Sequence, residues 1–394
     1  MNILILSDVG FSPRGGTETY CETVAGINTE LGNPTTKAVI GTTGELQHPI
    51  KTLRCAEIPI WNDICDEQSV RALGDLCSQS EIDLVHANIV NLRHYTILRD
   101  LKLPLVLTIH TWRMRCPIED KAMLPEMMPC EREWPNGHCP ICVVSKNRLL
   151  SEPVIWMATK FLRMPRNIHA SRIALERASY VISPSMSFFQ ELHKRIGSKA
   201  LHIYNPLDWS LLRDKPESRG DGSVVFFGRL EWEKGVGLLP NLARLSETET
   251  FHVAGDGSMR NWLLCNTPEK VLYHGFLPRT KMKRLLDNCS VVVVPSIGRE
   301  MFSYVASEAL AQQKPVVAFD IGGVKEQIEA SGGGLLSKPF DIENLAEKVN
   351  FLLRNPSEAE RMGQKGREWI VKNLNPRTYG EALTGVYRDA AEAM

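Results

Sequence analysis

Short apolar runs alternate with longer amphipathic stretches along almost the whole chain. In the first part, the runs NILIL, IDLVH (ending at His86) and LPLVLTIH (ending at His110) are separated by helical periodicity over Thr17 to Leu31 and Asn91 to Asp100. Strands that stay apolar at successive positions are buried on both faces, as in parallel sheets with helical crossovers. The pattern predicts an α/β fold.

A second series of the same kind begins at SVVFFG, Ser223 to Gly228, and continues through TFHVAG, VLYHG, SVVVVP and PVVAF. The stretch Asn205 to Gly222 is rich in proline, glycine and charge, which favours a hinge. A chain of 394 residues is also too long for one typical core. We therefore predict two doubly wound, Rossmann-like domains, 1–207 and 208–375, and an amphipathic segment 376–394 that returns to the first domain.

Composition and charge narrow the class of protein. Lysine plus arginine equals aspartate plus glutamate, at 46 each, so bulk charge does not indicate nucleic acid as a partner. No apolar run approaches the roughly 18 residues of a membrane span. The start MNILILSD is typical of a first strand rather than a signal peptide. We expect a cytoplasmic protein with mainly reduced cysteines.

The stretch Val291 to Leu310, VVVVPSIGREMFSYVASEAL, joins a buried strand to a loop and a helix. Pro295 ends the strand ladder, and ligands of open α/β sheets bind at such carboxyl ends. Eight positions separate Glu300 and Glu308, so on one continuous helix they would not share a face. Glu300 is predicted in the loop and Glu308 in the helix, where both could reach one ligand. Solvated surface charges are the alternative.

Two cations follow the strand FFG of the second series. Arg229 comes directly after it, and Lys234 precedes a helix start bounded by glycines. Fixed cations at a strand's carboxyl end suit a diphosphate, whose charge must be neutralised as its leaving bond breaks. A solvated loop of mixed charge is the alternative interpretation.

Candidate residues of the first domain also lie at the predicted ends of strands. Gly15 and Gly16 precede a helix, where backbone N–H groups can approach an anion, although a plain tight turn would use the same residues. His110 ends a strand and could serve as polar contact or proton carrier. His86 is the weaker case. A hydrogen-bonded structural histidine is the alternative for both.

Taken in order, GGTE, His110, FGRLEWEKG, AGDGS and two glutamates enclosing seven residues resemble family 4 of retaining glycosyltransferases. YVISPSMSFFQEL, IYNPLD and PVVAFDIGGVKEQI extend the resemblance over nearly the whole chain. It implies the GT-B fold, in which two domains face each other across a cleft and bind a nucleotide-diphosphate sugar. The resemblance implies that Gly15 and Gly16 contact phosphate and that Arg229 and Lys234 clamp the diphosphate. It also implies that Glu300 contacts the donor sugar and Glu308 the ribose. His110 would lie near the reacting sugar.

The loop between the two glutamates departs from the family pattern. The resemblance places the donor site along Phe302, Ser303 and Tyr304. The family commonly has E-P-F-G in this loop, whereas this chain has Glu300-Met301-Phe302-Ser303. Ser303 replaces a glycine whose backbone N–H would reach phosphate, and its hydroxyl could cap the helix instead. Tyr304 stands where an aliphatic residue is common. The identity of the donor sugar is therefore left open.

The resemblance implies transfer of a sugar with retention of anomeric configuration to a saccharide, lipid-linked or small-molecule acceptor. The chain contains no D-x-D triplet, so we expect no catalytic metal and activity that survives EDTA. An NDP-sugar epimerase on a related fold and a non-catalytic sugar-nucleotide-binding subunit are the alternatives. The sequence indicates neither the nucleotide nor an oligomeric state.

Cysteines concentrate in an irregular insertion, residues 112–147. Cys116, Cys130, Cys139 and Cys142 fall within it, the last two as C-x2-C, and predict a structural zinc site in which His138 could replace one ligand. Buried free cysteines are the alternative. Acceptor selectivity is expected here, with Trp112 and Trp134 stacking on sugar rings.

The adjoining segment LLSEPVIWMATKFLRMPRN mixes apolar residues with Lys160, Arg163 and Arg166. Such a segment could rest on a bilayer near a lipid-linked acceptor, as peripheral membrane contact at the inner face of the membrane. An ordinary core helix with a basic rim is the alternative.

Overall fold

The computed structural model describes most of the chain, and all structural statements refer to the residues it describes. These residues are 1–9, 15–40, 55–58, 67–114, 116, 122–123, 128–130, 139–149, 167–208, 211 and 220–393. By contacts the chain divides into two compact units. The first comprises Met1–Glu119, Arg132–Pro206 and Pro376–Met394, and the second comprises Asp120–Glu131 and Leu207–Asn375.

The first unit is built on a seven-stranded sheet in which all described pairings are parallel. Its strands are β1 (Ile3–Ser7), β2 (Thr35–Ile40), β3 (Cys55–Ile58), β4 (Leu84–Asn88), β5 (Leu105–Thr108), β8 (Tyr180–Ser183) and β9 (Ala200–His202). The order is β3-β2-β1-β4-β5-β8-β9, so the direction of winding reverses between β1 and β4. Every residue of β1, β4 and β5 is buried, as the uninterrupted apolar runs predict.

The first unit's helices are α1 (Gly16–Glu30), α2 (Glu67–Gln79), α3 (Cys139–Leu149), α4 (167–177), α5 (Met186–Ile196) and, after the whole second unit, α13 (Pro376–Glu392). The segment predicted as a helical crossover over Asn91 to Asp100 instead forms a 3-10 helix, Leu92–Leu98. A two-stranded antiparallel pair, β6 (Ala122–Met123) and β7 (Met128–Pro129), belongs to the second unit.

The second unit contains a six-stranded parallel sheet. Its strands are β10 (Val224–Phe227), β11 (Phe251–Ala254), β12 (Val271–Tyr273), β13 (Val291–Val294), β14 (Val316–Phe319) and β15 (Gly334–Ser337). They follow the order β12-β11-β10-β13-β14-β15, which reverses between β10 and β13. The four valines of β13 are buried on both faces, as the sequence predicts.

Helices flank this second sheet. They are α6 (Leu239–Leu245), α7 (Arg260–Asn266), α8 (Arg279–Asn288), α9 (Tyr304–Ala311), α10 (Gly322–Ser331), α11 (Ile342–Arg354) and α12 (Pro356–Asn373). Two 3-10 turns, Trp232–Lys234 and Val236–Leu238, precede α6. The core joins the apolar strand residues to leucines and valines of α6 and α11, so the sheet fixes where each strand-end loop emerges.

The helix α13 is part of the first unit, although it follows the second in sequence. Its Tyr379 hydroxyl lies 2.5 Å from the hydroxyl of Tyr20 in α1, and its Tyr387 hydroxyl lies 2.7 Å from Nδ1 of His86 in β4. All three tyrosines are almost fully buried. The prediction of two doubly wound α/β domains with a returning helix is confirmed. None of the described helices is both long and apolar enough to cross a membrane.

Candidate active site

Lys234 and Glu300 come together where β10 and β13 end. These strands are neighbours at the reversal of the second sheet, the place where ligands bind in doubly wound folds. Nζ of Lys234 lies 3.0 Å from Oε1 of Glu300. The hydroxyl of Ser296 donates to the same oxygen at 2.5 Å. The side chains of Lys234 and Glu300 are 23% and 15% exposed, so the pair is shielded yet still open to a ligand.

The loop that carries Lys234 is fixed by its backbone. Gly235 adopts a left-handed conformation at φ 73°. A Cβ at Gly235 would lie 1.9 Å from the carbonyl oxygen of Pro295, so only glycine allows this approach. The N–H groups of Ile297 and Gly298 each donate to the carbonyl of Glu233 at 3.0 Å. These contacts hold the two loops of the Lys234–Glu300 pair against each other.

A second glycine contact supports the Glu300 loop from the start of α10. The N–H of Gly323 donates to the carbonyl oxygen of Glu300 at 2.7 Å. A Cβ at Gly323 would lie 2.3 Å from the carbonyl oxygen of Met301, and Gly322 has a φ of +65°. The IGG sequence therefore positions Glu300. The sequence did not predict this role, because these glycines were interpreted only as part of the family resemblance.

Arg229 is placed differently from Lys234. Its guanidinium is 53% exposed and lies 3.0 Å from a carboxylate oxygen of Glu233. The neighbouring Glu231 accepts hydrogen bonds from the N–H of Ser258 at 3.0 Å and from its hydroxyl at 2.5 Å, which ties the AGDGS loop to the Arg229 loop. Arg229 thus lies at the same edge of the sheet as Lys234, in a more solvated position.

Ser303 caps α9, as the sequence predicts. Its hydroxyl accepts the N–H of Ala306 at 3.3 Å, and its own N–H donates to the side-chain oxygen of Gln327 at 3.2 Å. The amide nitrogen of Gln327 donates in turn to Ser307 at 2.7 Å. Ser303 is fully buried. The hydroxyl and backbone N–H of Ser303 are therefore committed to the protein, and Gln327 is a supporting residue that sequence reasoning did not identify.

The two aromatic residues around Ser303 are partly exposed. The rings of Phe302 and Tyr304 meet edge to face, with centroids 5.0 Å apart. Edge-to-face contact fixes ring orientation at modest energetic gain. Phe302 and Tyr304 therefore present a defined surface at the start of α9.

Glu308 lies in α9 and Glu300 in the preceding loop, as predicted. Burial raises the pKa of Glu308 to about 7, and nearby Arg279 opposes the rise. Arg279 is itself paired with Asp208 at 2.7 Å. No described residue hydrogen-bonds the carboxyl group of Glu308. A carboxyl group in this setting can accept hydrogen bonds from a ligand diol.

In the first unit, Gly15 and Gly16 begin α1 where β1 ends. Gly15 is the extended N-cap residue, and its carbonyl accepts hydrogen bonds from the N–H of Thr19 at 3.1 Å and from its hydroxyl at 2.9 Å. The preceding loop residues 10–14 lie outside the described residues. Both glycines thus occupy a helix N-terminus, the position that suits an anion, and their phosphate role stays a prediction.

His110 follows β5 and is bonded to a residue that sequence reasoning missed. Its Nε2 lies 3.0 Å from the side-chain oxygen of Asn88, the last residue of β4. The ring of Tyr20 packs against the imidazole, with centroids 4.6 Å apart. Burial lowers the pKa of His110 to about 3, against the opposing charge of Asp8. His110 is therefore a neutral imidazole at neutral pH.

Asp8 and His94 form a second polar group at this edge. The carboxylate of Asp8, one residue past β1, accepts the N–H groups of Val90 and Asn91 at 2.8 and 2.6 Å. Nδ1 of His94 lies 3.0 Å from the same carboxylate, and both side chains are almost fully buried. Their position at the ends of β1 and β4 is the signal that could have revealed them.

His86 is a structural histidine. It is fully buried, with Nδ1 bonded to Tyr387 and with Nε2 2.8 Å from the hydroxyl of Thr108. Burial lowers its pKa to about 3, and the neighbouring His110 adds to that shift. The alternative interpretation for His86, a hydrogen-bonded structural role, therefore holds.

The buried imidazole of His86 makes the protein sensitive to acid. The unfolded chain takes up a proton near pH 6.5, whereas the folded chain resists protonation until about pH 3. The contribution of His86 to the free energy of unfolding is thus fully present above pH 6.5. Below pH 6.5 this contribution falls by about 1.4 kcal/mol per pH unit. Urea unfolding of the wild-type protein and of His86→Gln at pH 7 and pH 5 separates this contribution from those of His110 and Glu308. His86→Gln should be less stable at pH 7, but its free energy of unfolding should depend less steeply on pH. Equal pH dependence in the two proteins would show that His86 is not the cause.

The predicted zinc ligands are all among the described residues. Cys116, Cys139 and Cys142 are buried, and Cys130 is partly exposed. Among the parts of the chain described here, no group of three or more His, Cys, Asp or Glu residues is arranged to hold a metal ion. His138 and Trp134 lie outside those parts, and Trp112 is fully buried. Zinc binding stays a prediction.

The membrane-contact segment, with Lys160, Arg163 and Arg166, also lies outside the described residues.

Two doubly wound sheets, each with polar residues at its reversal point, define an α/β protein of the GT-B type. Solved structures support this class. Sucrose-phosphate synthase from Thermosynechococcus elongatus aligns over 100% of both chains, with a TM-score of 0.75 at 19% identity. Anabaena HepE in complex with UDP aligns over 98% of this chain and 100% of its own, with a TM-score of 0.71 at 19% identity. These likenesses establish the GT-B fold.

A family comparison matches the second unit. Residues 210–369 are similar to the family described as "Glycosyl transferases group 1". Glycogen synthase of Mycobacterium tuberculosis is 30% identical over 240 residues, which are 57% of this chain and 58% of that protein. Alpha-D-kanosaminyltransferase of Streptomyces kanamyceticus is 29% identical over 175 residues, 42% of this chain and 45% of that protein. The chain spans about half the length of these curated relatives.

Proposed function

We propose that the protein is a retaining glycosyltransferase that moves a sugar from a nucleotide-diphosphate sugar to an acceptor hydroxyl without a catalytic metal. The observation that carries the proposal is the Lys234–Glu300–Ser296 cluster at the reversal of the second sheet. It combines a cation for a leaving diphosphate with a carboxylate for sugar hydroxyls. Related folds have been solved with UDP and glucose, and with UDP-glucose, in HepE.

In this proposal, the donor diphosphate lies between Lys234 and the N-terminus of α9, with Arg229 contributing from the more exposed side. The cations and the helix dipole stabilise the charge that develops on the diphosphate as the glycosidic bond breaks. Glu300 accepts hydrogen bonds from the sugar, and Glu308 accepts them from the ribose diol. The sugar passes through an oxocarbenium-like state.

The acceptor hydroxyl attacks from the face that the diphosphate leaves, and the anomeric configuration is retained. Its proton passes to a phosphate oxygen of the donor. Gly15 and Gly16 face the donor phosphates, and His110 contacts the reacting sugar. The acceptor is a saccharide, a lipid-linked glycan or a small molecule. The crystal structure of TarM, another protein with this fold, holds UDP and alpha-GlcNAc-glycerol.

A donor screen tests this proposal. UDP-, GDP-, ADP- and dTDP-sugars are compared by thermal shift, and the matching donor should raise stability by about 2.7 kcal/mol at a concentration 100 times its Kd. Incubation of that donor with candidate acceptors, with and without EDTA, should give a product of retained configuration in both cases. Conversion of the donor without acceptor would indicate an epimerase. Donor binding without turnover would indicate a non-catalytic subunit.

A further inference from the structure

The orientation of the Asn88 amide is fixed by the backbone around it. Asn88 is fully buried, and it pairs with Ser7 in the register of β1 and β4. Its side-chain nitrogen donates to the carbonyl oxygen of His86 at 3.3 Å. A carbonyl oxygen can only accept, so the amide nitrogen must face His86. The amide oxygen of Asn88 therefore faces His110.

This orientation determines which nitrogen of His110 carries the proton. Nε2 of His110 lies 3.0 Å from the Asn88 amide oxygen, which cannot donate. The opposite tautomer would place two acceptors 3.0 Å apart in a buried site, at the cost of an unmade hydrogen bond. No described residue hydrogen-bonds Nδ1 of His110. Within the described part of the chain, its lone pair thus has no protein partner.

The surroundings of His110 keep the imidazole neutral. The titratable groups near it are Asp8 after β1, His86 in β4 and Tyr20 in α1. Asp8 favours the imidazolium form, but burial outweighs it, so the pKa of His110 falls to about 3. Near pH 7 the ring has one donor, which faces Asn88, and one acceptor.

We propose that Asn88 is a positioning residue that fixes His110 as the Nε2–H tautomer, so that Nδ1 accepts a hydrogen bond from a sugar hydroxyl. This inference deepens the proposed function and rests on it for the identity of the ligand. It implies a chemical preference, because an acceptor at Nδ1 selects hydroxyl groups and disfavours a carboxylate or carbonyl at the same place. A sugar acid is therefore a poor substrate at this contact.

Imidazole 15N NMR tests the tautomer without any substrate. In the wild-type protein, long-range 15N–1H correlations of His110, assigned by their loss in His110→Gln, should show Nε2 protonated and Nδ1 unprotonated between pH 6 and 8. In Asn88→Leu, which removes the acceptor, the two nitrogen shifts should move toward each other as the tautomers mix. Asn88→Asp keeps an acceptor beside Nε2 and should keep Nε2 protonated, although its second oxygen meets the His86 carbonyl in place of the amide nitrogen.

Ser7→Ala serves as the matched control. Its hydroxyl donates to the Asn88 backbone carbonyl at 3.3 Å, so the variant perturbs the same strand end without touching the amide. It should leave the tautomer unchanged. A protonated Nδ1 in the wild-type protein would overturn the inference, as would unchanged shifts in Asn88→Leu. If Asn88→Leu does not fold, the wild-type and Asn88→Asp spectra decide.

Activity tests the second half of the proposal. An asparagine at position 110 places its amide oxygen where Nδ1 stood, whereas a glutamine reaches the place of Nε2. His110→Asn should therefore retain up to about 10-fold more kcat than His110→Gln, which is the usual effect of one hydrogen bond between neutral groups. The reverse order would overturn the role of Nδ1. Absence of sugar transfer in the wild-type protein, with the tautomer as expected, would instead reject the proposed function.

Discussion

Replacement of Lys234 by alanine should lower kcat by about 10²–10³-fold, the usual effect of removing one group that stabilises transition-state charge. The ammonium group is the cation paired with Glu300, so its loss changes the net charge of this pair from zero to minus one. A negative cluster repels an anionic diphosphate and no longer stabilises it as it leaves. The effect should therefore appear in kcat as well as in KM. Initial rates with the donor found by thermal shift measure it.

Lys283→Ala is the matched control for this prediction. Lys283 pairs with Asp287 at 3.1 Å, with side chains 30% and 22% exposed, close to the values of the Lys234 pair. The pair lies toward the end of α8, which leads into the start of β13, whereas Glu300 follows the end of that strand. Such pairs contribute about 0–1 kcal/mol to stability, so this variant should keep normal activity. Comparable rates for the Lys234 and Lys283 variants would remove Lys234 from the site.

Gly235→Ala should reduce both stability and activity. The left-handed backbone costs a Cβ-bearing residue about 1–2 kcal/mol, and the clash with the carbonyl of Pro295 adds about 1–3 kcal/mol. We expect the free energy of unfolding to fall by about 2–5 kcal/mol in total. Because Gly235 follows Lys234 directly, relief of the clash moves the ammonium group away from Glu300. Urea unfolding and initial rates measure the two effects.

Gly237→Ala separates this clash from a general loss of glycine flexibility. Gly237 lies two positions further in the same loop, is exposed, and a Cβ there would meet only the terminal methyl of Met259 at 3.8 Å. The free energy of unfolding of this variant should lie within about 1 kcal/mol of the wild-type value, as is usual for surface substitutions. If both variants lost the same stability, the approach of Gly235 to Pro295 would not be the cause.

The sheets could be predicted from the sequence because burial on both faces leaves a direct trace. The four valines of β13 and the apolar runs of β1 and β5 have no polar positions to suggest a solvent face. The helical crossover predicted over Asn91 to Asp100 is a 3-10 helix in the structure, because short apolar spacings fit a 3-10 helix as well as an α-helix. Its tighter form became clear only from the structure.

The site could be predicted only in part. Residues that directly follow strands, such as Arg229 and His110, are marked by their position in sequence. The partners that orient them are not, because they depend on distances between separate backbones. Gly323 approaches Met301, and Asn88 faces His110, only because neighbouring strands end at the same edge. Rules for strand ends identify the edge of the sheet, and the structure identifies which side chains meet there.

The placement of α13 has a consequence for the order in which the chain acquires its structure during synthesis. Residues Leu207–Asn375 of the second unit leave the ribosome before α13 does, so this unit can complete its core first. Until Tyr379 and Tyr387 arrive, Tyr20 and His86 each lack one of two buried hydrogen-bond partners, the other being Thr108. The unit that is translated first is therefore the one that matures last. A released chain that ends at Asn375 should contain a finished second unit and an immature first one.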